Sequence, residues 1–225
     1  MYDRTSVKGF PQIQGHFIAE HHRQKALDPH KGNNRIGNAD VKNGEESRPD
    51  DKGIDVGNAT NGWEWGPEKI ESVLPSLTWV RFTVGAGTPE SYSKIMFKGP
   101  EHTHVFEKAM SNIRYAVKLK KKNKLSCTLG IQMVLMPEFK DEIIPFAKLA
   151  LELGVDYGVI KHCSDDEFGT LGVDYSKYED MYSLLSEAEN LSNEKTKIIV
   201  KWNKIKDKGI SSYKRFYGPQ FLLQI

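Results

Sequence analysis

Cysteine is almost missing from this chain, with only Cys127 and Cys163 among 225 residues. That scarcity excludes a disulfide framework. Two thiols also cannot complete a structural zinc site or hold an iron–sulfur cluster without other ligands. Long apolar runs are missing as well. Nothing approaches the length of a transmembrane helix, and the opening MYDRTSVKGFPQIQG has no apolar signal core. These absences imply a cytoplasmic chain with no membrane contact. Charge of one sign is not in excess either: a formal +2 gives no strong attraction to nucleic acid. The one basic run, KLKKKNK, has no interleaved aromatics and reads as a solvated helix end whose lysines complement the dipole.

What is present fits a globular domain, with 38% hydrophobic and 28% charged residues and enough length for a core of useful size. The chain is uneven, however. Residues 1–52 hold few large apolar side chains and many Asn, Gly, Asp, Lys and Arg. Such a stretch cannot bury enough surface to offset its ordering entropy, so it is expected to be irregular. His16, His21, His22 and His30 fall here, but without an i, i+4 pair or a cysteine partner they do not read as a metal site.

From Gly53 the pattern changes to apolar strands alternating with helices. GIDVGNATNG reads as a strand ending in a turn, followed by PEKIESVL with Pro67 at a first helical position. LTWVRFTV is a strand, and VFEKAMSNIRYAVKLKKKNK a helix with Phe106, Met110, Ile113 and Val117 at helical spacing. TLGIQMVLM is apolar almost throughout, as a strand covered on both faces should be. DEIIPFAKLALELG tolerates Pro145 only near its first turn and has Gly154 as its C-terminal cap. VDYGVIKHC is a strand, YSKYEDMYSLLSEAENLS a helix and KIIVKW a strand. Five strands separated by helices imply parallel pairing, in a doubly wound sheet or an arc of a barrel. In both, ligands belong at the C-terminal ends of the strands.

Those ends carry Thr60, Asn61 and Gly62; Arg81, Thr83, Gly85 and Gly87; Gln132, Met136 and Glu138; and Lys161 through Asp165. GAGTPES invites a phosphate-loop reading, yet it has no downstream Gly-Lys-Ser/Thr and no third glycine of a dinucleotide fingerprint. Arg81 lies inside an apolar strand, where it must either pair with a carboxylate or clamp a ligand. His162 and Cys163 are adjacent, so on a strand they face opposite sides and cannot act as a base–nucleophile pair.

In order, ATNG, LTWVRFTVGAGTPESYSKI and TLGIQMVLMPEFKDEIIPFAKLALELGVDYGVIKHCSDD resemble the central part of a radical S-adenosylmethionine (radical SAM) enzyme. More narrowly, they are similar to members with a C-terminal cysteine-rich, SPASM-like extension. The resemblance runs from about Gly53 to Asp166, and more weakly to Ile225. It implies a partial (β/α) barrel over 53–202 with outer helices, these stretches corresponding to the family's third through sixth strands, and 203–225 as the start of a truncated extension. It also implies S-adenosylmethionine contacts from Asn61, Gly62, Arg81, Thr83, Gln132, Val134, Lys161 and His162. The family's cofactors are S-adenosylmethionine and a 4Fe-4S cluster, and its parent reaction is reductive cleavage of the former to start radical chemistry on a substrate.

The departures from that pattern are large. Residues 1–52 contain no cysteine, so the C-x3-C-x2-C loop that holds the family's cluster is missing. The Gly-Gly-Glu motif is missing too, Gly85 stands where relatives usually have Asp, and Phe216 occupies an expected cysteine position. We therefore expect a fragment, a frameshifted product or a degenerate relative that carries no cluster and is inactive alone, with a partner or missing segment covering the sheet edge. The substrate, a small molecule or peptide, is not specified. A non-catalytic α/β module that binds through the strand C-terminal face is the second reading. An acid–base enzyme using Lys161, His162 or Asp165 is the third.

Overall fold

The computed structural model describes residues 55–165 and 169–207, and the expectations placed on 1–52 and on the chain after 207 lie outside them. Among the described residues five strands form one sheet: β1 Gly57–Thr60, β2 Trp79–Thr83, β3 Thr128–Leu135, β4 Tyr157–His162 and β5 Lys197–Val200. All pairings are parallel, and the spatial order β1-β2-β3-β4-β5 is the sequence order. The sheet thus has no point at which strand order reverses, the feature that defines a doubly wound sheet.

Among the described residues five α-helices lie in the connections, α1 Pro67–Val73, α2 Pro89–Phe97, α3 Thr103–Asn123, α4 Ile143–Leu153 and α5 Tyr182–Asn190, and a sixth, α6 Trp202–Lys206, follows β5. Local chemistry sets their ends. Pro67 and Pro89 open α1 and α2 where a missing N–H costs nothing. Lys120, Lys121 and Lys122 fill the last turn of α3, complementing its dipole. Pro145 is the third residue of α4, early enough to be tolerated, and Gly154 (φ 65°) closes it by donating to the Ala150 and Leu151 carbonyls.

Four elements differ from the sequence reading. The stretch after the two glycines of GAGTPESY is helix α2, because Thr88-Pro89-Glu90 is a helix start rather than a plain turn. The helices read from Asp141 and Tyr175 begin as 3-10 segments, Pro137–Glu142 and Tyr175–Met181, before continuing as α4 and α5. Trp202 opens α6 and does not extend β5; its indole N–H donates to Glu189 and turns the chain away.

Period-2 alternation sorts the strand residues into two faces. Val80, Phe82, Leu129, Ile131, Met133, Leu135, Ile160, Ile198 and Val200 pack with the buried sides of all six helices in one hydrophobic core. Gly158 shares that face: a Cβ there would stand 2.9 Å from Ala150 of α4. Burying each of these large side chains contributes about 1.5–3 kcal/mol, so this face supplies most of the stability. The alternate residues Trp79, Arg81, Gln132, Tyr157, Val159 and Lys161 are buried on the other face and lie outside that core.

Candidate functional site

Register places the alternate residues in rows across the sheet. Ala59, Arg81, Gly130, Tyr157 and Lys197 are aligned Cα to Cα. The next row toward the strand C-termini holds Thr83, Gln132, Val159 and Ile199, and above it Val134 pairs with Lys161. Five of the eight expected contacts (Arg81, Thr83, Gln132, Val134 and Lys161) therefore share the helix-free face. Arg81 and Gln132 sit within their strands, whereas half-buried Thr83 and Val134 form the rim.

The other three are placed differently. Asn61 follows β1 directly and is half-buried. Gly62 (φ 80°) makes the turn after it; its carbonyl accepts from Nδ2 of buried Asn112 in α3 at 2.9 Å, and a Cβ on it would stand 2.9 Å from the Phe82 ring. Gly62 and Asn112 thus tie the β1 end to the helical layer. His162 alternates to the helix side, where its ring lies edge-on to Tyr175 and Tyr178, with centroids 5.5 and 6.1 Å away. The structure does not bring it together with Lys161.

The glycine loop has a definite occupant. Glu142, 6% exposed, accepts from the Gly87 N–H at 2.8 Å, the Thr88 N–H at 3.0 Å and the Thr88 hydroxyl at 2.9 Å. The donors that a phosphate would need here are satisfied by the chain's own carboxylate. On the inner side, the Gln132 carbonyl accepts from Val84 and Gly85 N–H at 2.9 and 3.3 Å, fixing the turn out of β2. The loop is thus a structural joint between β2, β3 and the start of α4.

Asp165 has a comparable role. Its carboxylate accepts from Leu171 and Val173 N–H at 2.9 and 3.2 Å, and its own N–H donates to the Tyr175 hydroxyl. The Tyr178 hydroxyl donates to the Leu135 carbonyl and accepts from the Cys163 N–H. Asp165 therefore ties Leu171 and Val173 to the end of β4, and both of its carboxylate oxygens accept from backbone.

The residues do not fit a 4Fe-4S cluster. Cys127 immediately precedes β3 and Cys163 immediately follows β4, so the two thiols stand at opposite ends of paired parallel strands. Eight residues of strand separate these ends, about 26 Å. Among the described residues no group of three or more His, Cys, Asp or Glu could hold a metal ion. Burial pushes the Cys127 thiol up to about 12 and raises that of Cys163. Both are expected to resist a thiol-specific disulfide reagent at pH 8 in the native state and to react fully once unfolded; prompt native labelling would contradict this burial. Because the fold holds the Cys127 proton more tightly than the unfolded chain does, stability should fall as pH rises from 9.0 toward 12.

The fold and face define an α/β protein with one all-parallel sheet whose helices, among the described residues, pack on one face. Compared with protein-family models and, at a significance threshold, with curated proteins, the chain matches none. No helix among the described residues is long and apolar enough to cross a membrane.

Proposed function

We propose that the chain is a partial (β/α) barrel of the radical SAM type whose helix-free face binds S-adenosylmethionine, and that the chain alone does not cleave it. The observation that carries this reading is the shared face of Arg81, Thr83, Gln132, Val134 and Lys161 on a sheet in consecutive strand order. A sheet whose helices all pack on one face curves into a barrel arc, and the other face becomes the interior.

The side chain of Gln132 supports a ligand there. It is 1% exposed, and its Nε2 has no hydrogen-bond acceptor among the described residues, which is costly unless a ligand or water accepts from it. In this reading Thr83 and Val134 line the rim, Lys161 and Arg81 supply positive charge, Gln132 donates to an acceptor on the cofactor, and Asn61 borders the opening. Gly62 and His162 support this site from the helix side. The 4Fe-4S cluster that supplies the family's electron has no thiolate set here, so no redox step is assigned to this chain. A small-molecule or peptide substrate, and a partner or further segment along β1 or β5, belong to the same proposal, as does a cytoplasmic location.

The second reading, a non-catalytic binding module, is favoured by one observation: Asp165 and Glu142 are both committed to holding backbone. Anaerobic reconstitution with iron and sulfide tests the inactive half of the proposal. Visible absorbance and iron analysis are expected to show no stoichiometric four-iron cluster; a cluster that survives desalting at four irons per chain would overturn the ligand account.

A further inference from the structure

The β5 edge of the sheet carries a set of hydrogen bonds that the candidate site does not use. The N–H groups of Lys197 and Lys201 donate to the Asp156 and Ile160 carbonyls at 3.0 and 2.9 Å, toward β4. Successive amides of a strand point to opposite sides, so Ile199 also faces β4, while Ile198 and Val200 point away from it. Those outward groups are the ones a sixth strand would pair with.

Both are taken by the chain's own side chains. Ser192, just after α5, accepts from the Ile198 N–H at 2.9 Å, and its hydroxyl donates to the Ile198 carbonyl at 3.5 Å. Glu189, in the last turn of α5, accepts from the Val200 N–H at 2.9 Å and from the Trp202 indole N–H at 2.7 Å, one on each oxygen. The return from α5 to β5 fixes this arrangement. Asn193 Oδ1 accepts from the Lys195 and Thr196 N–H groups at 2.9 and 2.8 Å, and the Thr196 hydroxyl donates to the Val155 carbonyl at 2.7 Å. Beyond Val200 the Trp202 ring stands edge-on to Tyr182, with centroids 5.6 Å apart, which holds the indole beside Glu189.

We infer that β5 is a closed edge sealed by Ser192 and Glu189, and that neither a second copy of this chain nor a partner segment extends the sheet there while the seal holds. An added strand needs the Ile198 and Val200 amides as donors, and these already have a hydroxyl and a carboxylate as acceptors. The bond to the carboxylate is charge-assisted, so Val200 is the harder of the two to free. The partner or further segment proposed along β1 or β5 then belongs at β1. The inference does not rest on S-adenosylmethionine binding, because none of these residues has a part in that assignment.

Amide hydrogen exchange of the full chain, read residue by residue by NMR, tests the seal. The Ile198 and Val200 amides are expected to be protected in the wild type. Ser192→Ala should speed exchange at Ile198 about fivefold to tenfold, the loss of one hydrogen bond, and Glu189→Ala should do so at Val200. Glu189→Gln keeps an acceptor oxygen and should leave Val200 protected. The Ile199 amide, which faces β4, reports intact folding and should change much less. In the double variant of Ser192→Ala and Glu189→Ala the edge is open, and light scattering should show a mass that rises with concentration beyond that of the wild type. Adding Val200→Pro removes an outward donor and should reverse that rise. Protection at Ile198 and Val200 that survives both alanine substitutions would mean that another strand holds these amides, and would overturn the closed edge. A double variant that associates no more than the wild type would overturn it as well.

Discussion

Gly87→Ala is expected to destabilise the chain by about 3–5 kcal/mol, the range of severe steric changes in a packed interior. A Cβ at Gly87 would stand 2.2 Å from both the Phe146 nitrogen and the Pro145 carbonyl carbon, and 2.7 Å from Pro145 Cβ. Two of these atoms are backbone in the first turn of α4, so no rotamer change relieves the clash. The loop must lift away from α4, and lifting it pulls the Gly87 and Thr88 amides off Glu142. For a chain of this size each kcal/mol moves Tm by about 2–4 °C, giving a drop of roughly 6–20 °C by calorimetry or circular dichroism. Gly85→Ala is the control. Its φ of 79° strains an alanine, but its nearest neighbour would be 3.6 Å away, so about 1–2 kcal/mol is expected. If Gly87→Ala melts no lower than Gly85→Ala, the close approach of loop and helix is wrong.

Glu142→Ala should cost about 2–4 kcal/mol by a different route. The substitution removes the acceptor for three donors at once and leaves the Gly87 and Thr88 amides at a partly buried joint. Each is a charge-assisted hydrogen bond, but the three share one carboxylate, so their contributions do not sum. Glu142→Gln retains one acceptor oxygen and should cost about half as much. Thr88→Val removes only the hydroxyl bond, at about 1 kcal/mol. Added to Glu142→Ala, Thr88→Val should have almost no further effect, because its partner is already gone. Full additivity of the two in urea melts would show that the hydroxyl does not rely on Glu142.

The layout of strands and helices was legible because apolar runs and their punctuation are local. TLGIQMVLM, Pro67, Pro145 and Gly154 each announce a boundary through their own chemistry. Helix α2 was harder to see. The glycines of GAGTPESY draw attention to themselves, while the start signal that matters, Pro89 after Thr88, follows within two residues. The anchoring role of Glu142 was not legible at all. PEFKDE offers Glu138, Asp141 and Glu142, and only the path of the chain into α4 decides which carboxylate faces a loop more than fifty residues away.

The candidate site divides along the same line. Alternation alone puts Arg81 with Thr83, and Gln132 with Val134, on one face, and it separates Lys161 from His162. Which strands neighbour one another, and in what register, is a long-range property. The leaning of Trp79 over Gly57 and of Tyr157 over Gly130 appears only once Gly57 is aligned with Trp79 and Gly130 with Tyr157. The sequence draws no attention to those glycines, since each looks like an ordinary weak point in a strand.

The central claim is that the helix-free face binds S-adenosylmethionine without a cluster, and calorimetric titration of the cluster-free full chain with that ligand tests it most directly. The expected result is one saturable site per chain that weakens at least about tenfold in Arg81→Ala, the loss of a buried charged contact. Gly85→Ala, outside that face, should leave the affinity unchanged. No measurable heat for the folded wild-type chain, or binding that Arg81→Ala leaves intact, would contradict the account.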